Sequence, residues 1–289
     1  MRAGFVSIFG RPNAGKSTLL NALLGEKLAI TSPKVQTTRH RIKGILNTAD
    51  YQIVISDTPG IIQPRYKLHE KMMHAVKAAL EDADLALLLV PANEDPGPSD
   101  EIFESLSINI PAVVVLNKAD AATTAKLDAL RGFFQAKNYC KQVVEISALR
   151  RSNFDKLIEA ILEYLPEGNS FFEGDDISDL PTRFFVGELI REKIFDLYQE
   201  EIPYETTVQV KTFEEKTTLT KILAEIVVQR ESQKAIILGE NGKTIKKLGT
   251  EARKDIEVFI GRKVFLELFV KVRPKWRDNE TFLREYGYA

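Results

Sequence analysis

A glycine-rich segment near the amino terminus carries residue types suited to phosphate chemistry. Gly10 and Gly15 bracket a short loop that continues into Lys16 and Ser17, matching the pattern G-x-x-x-x-G-K-[ST]. Glycine permits unusual backbone conformations, so the loop amides can turn inward around phosphate oxygens. Lys16 can reach the β- and γ-phosphates, and the Ser17 hydroxyl can bind Mg²⁺. The predicted phosphate-contacting residues are Gly10, Arg11, Pro12, Asn13, Ala14, Gly15, Lys16, Ser17 and Thr18.

A second motif, Asp57-Thr58-Pro59-Gly60, follows an apolar run further along the chain. Alone, this tetrapeptide is typical of a turn. In a chain that already contains a phosphate loop, an Asp at the end of a later apolar strand is in the position of a Mg²⁺-binding carboxylate. We expect Asp57 to bind the ion through a water molecule. Gly60 can bring its N–H to the γ-phosphate because it has no side chain. The sequence therefore predicts a Mg²⁺–nucleoside triphosphate site.

The base is predicted from Asn117, Lys118 and Asp120, which follow another apolar run. A carboxylate accepts two parallel hydrogen bonds, and guanine offers a matching pair at N1–H and its 2-amino group. Adenine lacks both donors and would leave the Asp120 carboxylate desolvated and unpaired. Asn117 can tie the base-binding loops together, and the Lys118 stem can cover the base. The next strand ends in Ser147, Ala148 and Leu149, where the Ala148 N–H can meet guanine O6. These motifs favour GTP over ATP.

These motifs need elements that hold them at one edge of a sheet. Apolar β-rich runs at 5–9, 41–46, 51–56, 85–90, 112–116 and 142–146 alternate with helical patterns at 17–24, 70–81, 125–137 and 153–165. Strands that are apolar on both faces and separated by helices are typical of a mostly parallel sheet covered on both sides. The predicted fold class is α/β, a P-loop NTPase sheet flanked by helices.

The pattern changes after Leu165-Pro166, which indicates a helix stop. We predict a nucleotide-binding domain over 1–167, a linker over 168–181 that absorbs relative domain motion, and an α+β domain over 182–289. The second domain has a helical pattern at 182–200, strands at 206–212 and 218–229, a helix pair interrupted by glycines, a strand at 264–272 and a polar tail. Glu188 and Glu192 share one helix face with Arg191 nearby, and we interpret that face as solvated.

Charge is distributed unevenly along a chain whose net charge is only −1. Residues 171–229 contain six basic and 13 acidic residues, a net of −7, and residues 230–277 contain 13 basic and six acidic residues, a net of +7. The basic stretch includes Gly239-Glu240-Asn241-Gly242, a G-x-x-G loop preceded by an apolar run, the KH pattern in which glycines let a nucleic-acid backbone approach. A helix–turn–helix with a solvated basic face is the alternative. The predicted RNA-binding residues are Ile236, Ile237, Leu238, Gly239, Glu240, Asn241, Gly242, Lys243, Ile245, Lys246, Lys247 and Arg253.

The ordered motifs, together with Gln36-Thr37-Thr38-Arg39-His40-Arg41, resemble the Era family of bacterial ribosome-assembly GTPases. The second half is also similar to that family, whose carboxyl-terminal domain is a type II KH domain. The resemblance implies Mg²⁺-dependent GTP hydrolysis to GDP and phosphate, with Thr37 and Thr38 in a switch loop and Thr38 as a Mg²⁺ ligand. It also implies binding near the 3′ end of small-subunit ribosomal RNA and a role in small-subunit assembly.

The group that activates water is not evident from the sequence. The position after Gly60, where related GTPases carry a water-orienting Gln, holds Ile61, and a hydrocarbon cannot orient water. We therefore predict slow intrinsic hydrolysis. The candidates for switch or transition-state contacts are Asn13, Lys16, Thr38 and Gly60. The resemblance implies that Asn13 helps to hold K⁺ beside the phosphates, and an Asn in a tight turn is the alternative.

Composition excludes several classes of function. Cys140 is the only cysteine, which excludes a disulfide framework and a Cys-based metal site. No segment is apolar for the roughly 20 residues that span a bilayer, so we expect a cytoplasmic protein. We also expect it to be a monomer. Three alternatives remain. They are peripheral contact with the inner face of the cell membrane, a GTP-gated RNA- or membrane-binding module with negligible hydrolysis, and an ATPase or kinase with an appended RNA domain. Trp276 either stacks on a base or packs inside the domain.

Overall fold

The computed structural model describes residues 1–174 and 176–288. These residues form two compact units, each built from several stretches of chain. The first unit contains Met1–Ala29, Thr38–Gln63 and Met72–Asp179, and the second contains Ile30–Thr37, Pro64–Lys71 and the chain from Leu180 onward. Within the part of the chain described, no helix combines the length and hydropathy needed to cross a bilayer.

The first unit is organised around a six-stranded sheet. Its strands are β1 (Arg2–Phe9), β2 (Ile42–Asn47), β3 (Tyr51–Asp57), β4 (Leu85–Pro91), β5 (Ala112–Asn117) and β6 (Gln142–Glu145). The order is β2-β3-β1-β4-β5-β6, in which β2 is antiparallel to β3 and the other neighbours are parallel. Every residue of β4 and β5 is buried, as expected for central strands covered on both faces. The predicted mostly parallel sheet is confirmed.

Helices connect the strands of this sheet. They are α1 (Lys16–Leu24), α2 (Lys67–Glu81), α3 (Gly97–Ser105), α4 (Thr124–Gln135) and α5 (Phe154–Tyr164). Phe9, Leu88, Val114 and Phe134 belong to one buried cluster that joins sheet and helices. Because β1, β3, β5 and β6 run in the same direction, the loops that follow them lie at one edge of the sheet.

The second unit has an α+β order with a three-stranded sheet. Its elements are α6 (Thr182–Leu197), α7 (Ile202–Glu205), β7 (Thr207–Glu215), β8 (Thr220–Val228), α8 (Glu231–Leu238), α9 (Lys243–Ile260), β9 (Val264–Val272) and α10 (Glu280–Glu285). The sheet order is β7-β8-β9, with β7 antiparallel and β9 parallel to β8. Helices α6, α8 and α9 bury apolar residues against this sheet, including Ile190, Ile237 and Ile256.

The tail that we predicted as polar is folded. Trp276 is fully buried, and its indole N–H donates to the Glu205 carbonyl at 2.9 Å. Its ring stacks on Tyr288 with ring centroids 6.3 Å apart. Trp276 therefore packs inside the unit, and the base-stacking alternative is wrong. The short helices α3 and α10 were also absent from the sequence prediction, because six to nine residues give too little periodicity to recognise.

The face of α6 that we predicted to be solvated is buried. Glu188 and Glu192 are 7% and 2% exposed, and Arg191 is 1% exposed. The prediction was wrong because charged residues on a helix can be buried when they pair with each other. Here the Arg191 guanidinium donates to both carboxylate oxygens of Glu188, at 2.8 and 2.6 Å.

The segment predicted as a linker is bonded to the first unit up to Asp179. The Gln52 side-chain nitrogen donates to the Phe172 carbonyl, and the Gln52 side-chain oxygen accepts from the backbone amides of Phe171 and Phe172, all at 2.7–3.0 Å. The Ile45 amide donates to the Ile177 carbonyl at 2.9 Å. Phe171, Phe172 and Ile177 therefore lie beside strands β2 and β3.

Candidate nucleotide and RNA sites

The phosphate loop lies between β1 and α1, as its motif predicts. A Cβ on Gly10 would lie 2.6 Å from the Leu89 carbonyl oxygen. Gly15 has a φ of 99°, and a Cβ there would overlap the Asn117 side-chain amide. Side chains are therefore excluded at both positions. The first turn of α1 starts at Lys16, so its free N–H groups lie beside the loop, where an anion is stabilised.

Lys16 is buried within this loop. It is 6% exposed, and its ammonium donates to the Gly10 and Arg11 carbonyls at 3.1 and 3.0 Å. Burial lowers the pKa of Lys16 to about 8, an effect partly offset by the Asp57 carboxylate. Phosphate oxygens are stronger acceptors for an ammonium than these carbonyls, so the side chain is placed to bind an anionic ligand.

Three oxygen-bearing side chains meet beside the loop. The Ser17 hydroxyl donates to Asp57 Oδ2 at 2.6 Å and lies 2.9 Å from the Thr38 hydroxyl, which is itself 3.2 Å from Asp57 Oδ2. Asp57 Oδ1 is buried and has no hydrogen-bond partner among the described residues. Hard oxygen ligands around one carboxylate suit Mg²⁺, and the unpartnered oxygen is an acceptor for a metal-bound water. Ser17, Thr38 and Asp57 therefore fit the predicted Mg²⁺ site.

The electrostatics of Asp57 are consistent with a cation site. Burial raises the pKa of its carboxyl, and Lys16 and the hydroxyls of Ser17 and Thr38 offset part of that effect. The neighbouring Thr58 hydroxyl donates to the Ile8 carbonyl at 2.7 Å, which fixes the end of β3 against β1. A nearby divalent cation would favour the charged carboxylate further.

The two positions that follow Gly60 hold the apolar side chains Ile61 and Ile62, neither of which can orient water. Gly60 approaches the phosphate loop closely, since a Cβ there would lie 3.0 Å from the Pro12 ring. Ile61 is partly buried and packs against the hydrophobic cluster of the first unit, and Ile62 is partly buried as well. The Ile61 side chain is thus part of the hydrophobic packing and cannot orient water by a hydrogen bond, as the sequence predicts.

Asn117 joins three predicted nucleotide-contacting segments. It is 2% exposed, and its side-chain amide donates to the Ala14 carbonyl at 2.9 Å. Its side-chain carbonyl accepts from the Ala148 amide at 3.0 Å. The end of β5 is thus bonded both to the phosphate loop and to the loop after β6. The Ala148 N–H, which we predicted to meet guanine O6, is directed at Asn117 here.

Asp120 lies in the loop that follows Asn117. Hydrogen bonding from Ser147, with a contribution from the Arg150 guanidinium, holds the pKa of Asp120 below its usual value. Arg150 Nε lies 3.2 Å from Asp120 Oδ2. The Lys118 ammonium donates to the Asn13 carbonyl at 3.0 Å, so its stem lies between the phosphate loop and the base loops. The carboxylate is therefore charged and able to accept from guanine.

The other predicted nucleotide-contacting residues differ in environment. Asn13 is exposed and has a φ of 62°. The Arg11 side chain pairs with Glu94 at 3.2 Å, and Leu149 is 82% exposed. Thr37 belongs to the second unit, although Thr38 belongs to the first. Pro12, Thr18 and Pro59 lie within the loops and helix already described.

The G-x-x-G loop connects α8 and α9 as the KH pattern predicts. Gly239, Asn241 and Gly242 all have positive φ, of 68°, 51° and 73°. A Cβ on Gly239 would overlap the Thr244 side chain, so only glycine fits there. Glu240, Asn241 and Lys243 are exposed, and the backbone at this turn is accessible to a ligand.

A groove of about 330 Å³ lies along α9 and the edge strand β9. Three predicted RNA-binding residues line it, namely Ile245, Lys246 and Arg253. Ile237, which we predicted to line the apolar groove, is fully buried in a hydrophobic cluster of the second unit, so that prediction is wrong. Its apolar run contains one buried and one exposed isoleucine, because a helix turns successive side chains to different faces. Three other predicted residues do not line this groove. Ile236 and Lys247 are exposed, and Leu238 is partly exposed.

The sequence analysis missed the strand side of this groove. Phe265, Leu266 and Leu268 of β9 also line it, opposite Gly249 of α9. Phe265 and Phe269 are about half exposed, at 50% and 51%. These two phenylalanines were a usable signal, because they lie four positions apart on one face of an edge strand, and an exposed aromatic ring can stack on a base.

Comparisons with known proteins identify the family. The family model described as 50S ribosome-binding GTPase matches residues 5–118, and a KH domain model matches residues 201–277. The chain is 46% identical over 292 aligned residues to GTPase Era of Caldanaerobacter subterraneus subsp. tengcongensis, covering all of this chain and 98% of that protein. It belongs to the Era family of GTPases. GTPase Era of Geobacter metallireducens is 45% identical, with the same coverage of both chains.

Solved Era structures share the fold over the full length. One, Era in complex with MgGDPNP and nucleotides 1506–1542 of 16S ribosomal RNA, has a TM-score of 0.95 and 41% identity, covering all of this chain and 99% of that chain. A variant of Aquifex aeolicus Era bound to GDP·AlF₄⁻ also has a TM-score of 0.95, with 40% identity and complete coverage of both chains. The predicted family and the P-loop and KH folds are confirmed.

Proposed function

We propose that the first unit binds Mg²⁺–GTP and hydrolyses it slowly, and that the KH region binds small-subunit ribosomal RNA near its 3′ end during small-subunit assembly in the cytoplasm. The observation that carries the nucleotide part is the cluster of Ser17, Thr38 and Asp57 beside the buried Lys16. The RNA part is supported by the basic G-x-x-G region and by the Era structure that holds 16S ribosomal RNA nucleotides.

Each residue of the nucleotide site then has a defined role. Lys16 binds the β- and γ-phosphates, Ser17 and Thr38 bind Mg²⁺, and Asp57 holds it through water. Bound Mg²⁺ neutralises charge that develops on the phosphate oxygens. Asp120 selects guanine by accepting from both of its donors. Calorimetry with GTP and ATP tests this assignment, and equal affinity for the two nucleotides would contradict it.

We propose that the hydrolysis site lacks a protein base and uses K⁺. The Asn13 side chain is exposed in the phosphate loop, and Ile61 packs on the apolar cluster. A monovalent cation beside the phosphates would act as an arginine finger does. We expect faster turnover in KCl than in NaCl at equal ionic strength, and Asn13→Ala should remove the difference. Equal rates in both salts for the parent protein would refute the K⁺ role.

The RNA assignment is tested by charge removal in the basic helix. Changing Lys243, Lys246 and Lys247 to Ala should weaken RNA binding and reduce its salt dependence by about one unit of slope per phosphate contact. A matched control removes three exposed lysines of the first unit, Lys77, Lys141 and Lys156. Equal loss of affinity in both triple variants would refute a specific role for the helix.

The RNA partner itself is identified by crosslinking. The GTP-loaded protein is crosslinked in cell extract and the attached RNA is sequenced. We expect enrichment of the 3′ region of small-subunit ribosomal RNA. Enrichment of transfer or messenger RNA without a ribosomal peak would overturn the proposed partner.

Glu240 within the G-x-x-G loop repels phosphate, and Glu240→Lys is expected to raise the affinity for RNA.

Two alternatives have their own tests. A GTP-gated module without hydrolysis predicts tight GTP binding and negligible turnover even with ribosomal subunits present. Peripheral membrane contact through the basic face predicts flotation with anionic liposomes that RNA competes away. We propose a monomer, and sedimentation measures its mass in solution. We also propose domains at 1–167 and 182–289, and the described residues of the intervening 168–181 belong to the first unit up to Asp179.

A further inference from the structure

The loop that follows β6 places an arginine beside the carboxylate that we predict to select guanine. Arg150 Nε lies 3.2 Å from Asp120 Oδ2. Both residues belong to the first unit. Arg150 follows Leu149, the last of the residues that we predicted to contact the base, and it has no role in the nucleotide site described above. Its position at the carboxylate therefore needs an explanation.

The backbone of this loop is held in a closed turn. The Ser152 amide donates to the Ser147 carbonyl at 3.1 Å, and the Ser147 amide donates to Ser152 Oγ at 3.2 Å. Inside the turn, the Arg150 amide donates to Ser147 Oγ at 3.2 Å. Ser147 is fully buried, so the turn is anchored in the interior. The backbone thus holds Arg150 next to Asp120, although 71% of the Arg150 side chain is exposed.

The loop that carries Asp120 is bonded to the same region. The Ala119 amide donates to the Ile146 carbonyl at 3.0 Å, which joins the two loops directly. The Ser147 hydroxyl bonds to the Asp120 carboxylate, and this bond and the Arg150 charge both lower the pKa of that carboxyl. The Ser147 hydroxyl and the Arg150 guanidinium therefore reach one carboxylate from one loop.

The number of acceptor positions on Asp120 allows guanine to bind while Arg150 stays in place. An ionised carboxylate has about four lone-pair positions. The Ser147 hydroxyl and Arg150 Nε occupy two of them. Guanine donates from N1–H and from its 2-amino group, so it needs the two positions that remain.

We propose that Arg150 is a positioning residue for the base, which fixes the orientation of the Asp120 carboxylate so that guanine can donate to both of its oxygens. This inference rests on the proposed selection of guanine by Asp120. An exposed ion pair contributes little by itself, but a bound base excludes water from this one and strengthens it. Arg150 therefore favours a base that makes two hydrogen bonds to Asp120 over a base that makes one.

The test compares guanine with hypoxanthine, which has the N1–H donor and lacks the 2-amino group. Affinities of the full chain for GDP and for inosine diphosphate are measured by calorimetry with Mg²⁺. The ratio of the two affinities reports the second hydrogen bond and cancels the contribution of the phosphates. Because exposed ion pairs change affinity by less than about tenfold, we expect Arg150→Met to lower this ratio about threefold.

The matched control is Arg151→Met, since Arg151 is the next residue and is also exposed. It removes the same charge from the same turn and should leave the ratio unchanged. An unchanged ratio in Arg150→Met would overturn the proposal, because a merely structural role weakens both nucleotides equally. An equal drop in both arginine variants would overturn it too, and so would a higher ratio in Arg150→Met, which would mean that Arg150 competes with the base.

A double-mutant cycle tests whether Arg150 acts through the Asp120 carboxylate. In the Asp120→Asn background, which should bind xanthosine diphosphate, Arg150→Met should not weaken that binding, because the carboxylate is absent. A loss there as large as the loss for GDP would mean that the substitution disturbs the loop, and would overturn the proposal.

The failure of this proposal is distinguishable from the failure of the guanine assignment. A parent protein that binds GDP and inosine diphosphate equally would refute the selection of guanine by Asp120, and the role of Arg150 with it. A parent protein that prefers GDP, together with an Arg150→Met variant that keeps the same preference, would refute the role of Arg150 alone.

Discussion

The Asn117 side chain joins the phosphate loop to both base-binding loops, and its removal gives a quantitative prediction. Asn117→Ala deletes the bond to the Ala14 carbonyl and the bond from the Ala148 amide, at 2.9 and 3.0 Å. Both are buried bonds between neutral groups, each with a net contribution of about 1 kcal/mol. We therefore expect the free energy of unfolding to fall by about 2 kcal/mol.

The same loss should appear in nucleotide binding. If the loops separate in the free variant, nucleotide binding must restore their arrangement, and about 2 kcal/mol corresponds to roughly 30-fold weaker affinity. Calorimetric titration with GDP and GTP measures this effect, and denaturant unfolding measures stability. Both nucleotides should lose affinity equally, because the two bonds lie away from the γ-phosphate site.

The matched control is Asn47→Ala, which removes two side-chain bonds within the same unit, one to the Gly174 carbonyl and one from the Gln52 side-chain amide. This control should keep full nucleotide affinity. An Asn117→Ala protein that loses stability but binds GDP within threefold of the parent would refute the reasoning. In that case the loops would keep their arrangement without Asn117, and the contacts would be important for folding alone.

Three other predictions concern the base, the metal and the core. Asp120→Asn should shift preference from guanine to xanthine nucleotides, because the amide donates where the carboxylate accepted, and retained GTP preference in calorimetry would contradict the assignment. Asp57→Asn should raise the Mg²⁺ concentration needed for GTP binding about 10- to 100-fold, with nucleotide binding in EDTA nearly unchanged. An unaltered Mg²⁺ requirement would exclude Asp57 from the site. Trp276→Ala should lower the free energy of unfolding by about 3–5 kcal/mol, measured with denaturant, because the indole is fully buried. A loss below 1 kcal/mol would show that the tail does not contribute to the core.

Motifs with fixed spacing could be predicted residue by residue. The loop from Gly10 to Ser17, Asp57 and Asn117 each require a particular residue type at the end of a strand, and parallel strands bring those ends together. The bounds of β9, Val264–Val272, were also predicted correctly. Its alternation is regular, and turn residues lie on both sides.

Burial of charged and apolar residues was harder to predict. Periodicity identifies the face of a helix, but it does not reveal what covers that face. Glu188 and Arg191 look solvated until Arg191 is seen to donate to the Thr37 carbonyl while it pairs with Glu188. Ile237 looks available to a ligand until it is seen to pack in one cluster with Ile194 and Tyr198. In each case the deciding contact comes from a distant part of the sequence, and local patterns contain no information about such contacts.

The bonds that Phe171, Phe172 and Ile177 make to strands β2 and β3 have a practical consequence for the first unit. Strand β2 is the outer strand of its sheet, and the amide of Ile45 is occupied by the Ile177 carbonyl. A chain cut at residue 167 would expose polar backbone groups of β2 such as the Ile45 amide, and unpaired groups at a sheet edge can pair with strands from other molecules. An isolated nucleotide-binding fragment should therefore extend to Asp179 if it is to resist aggregation.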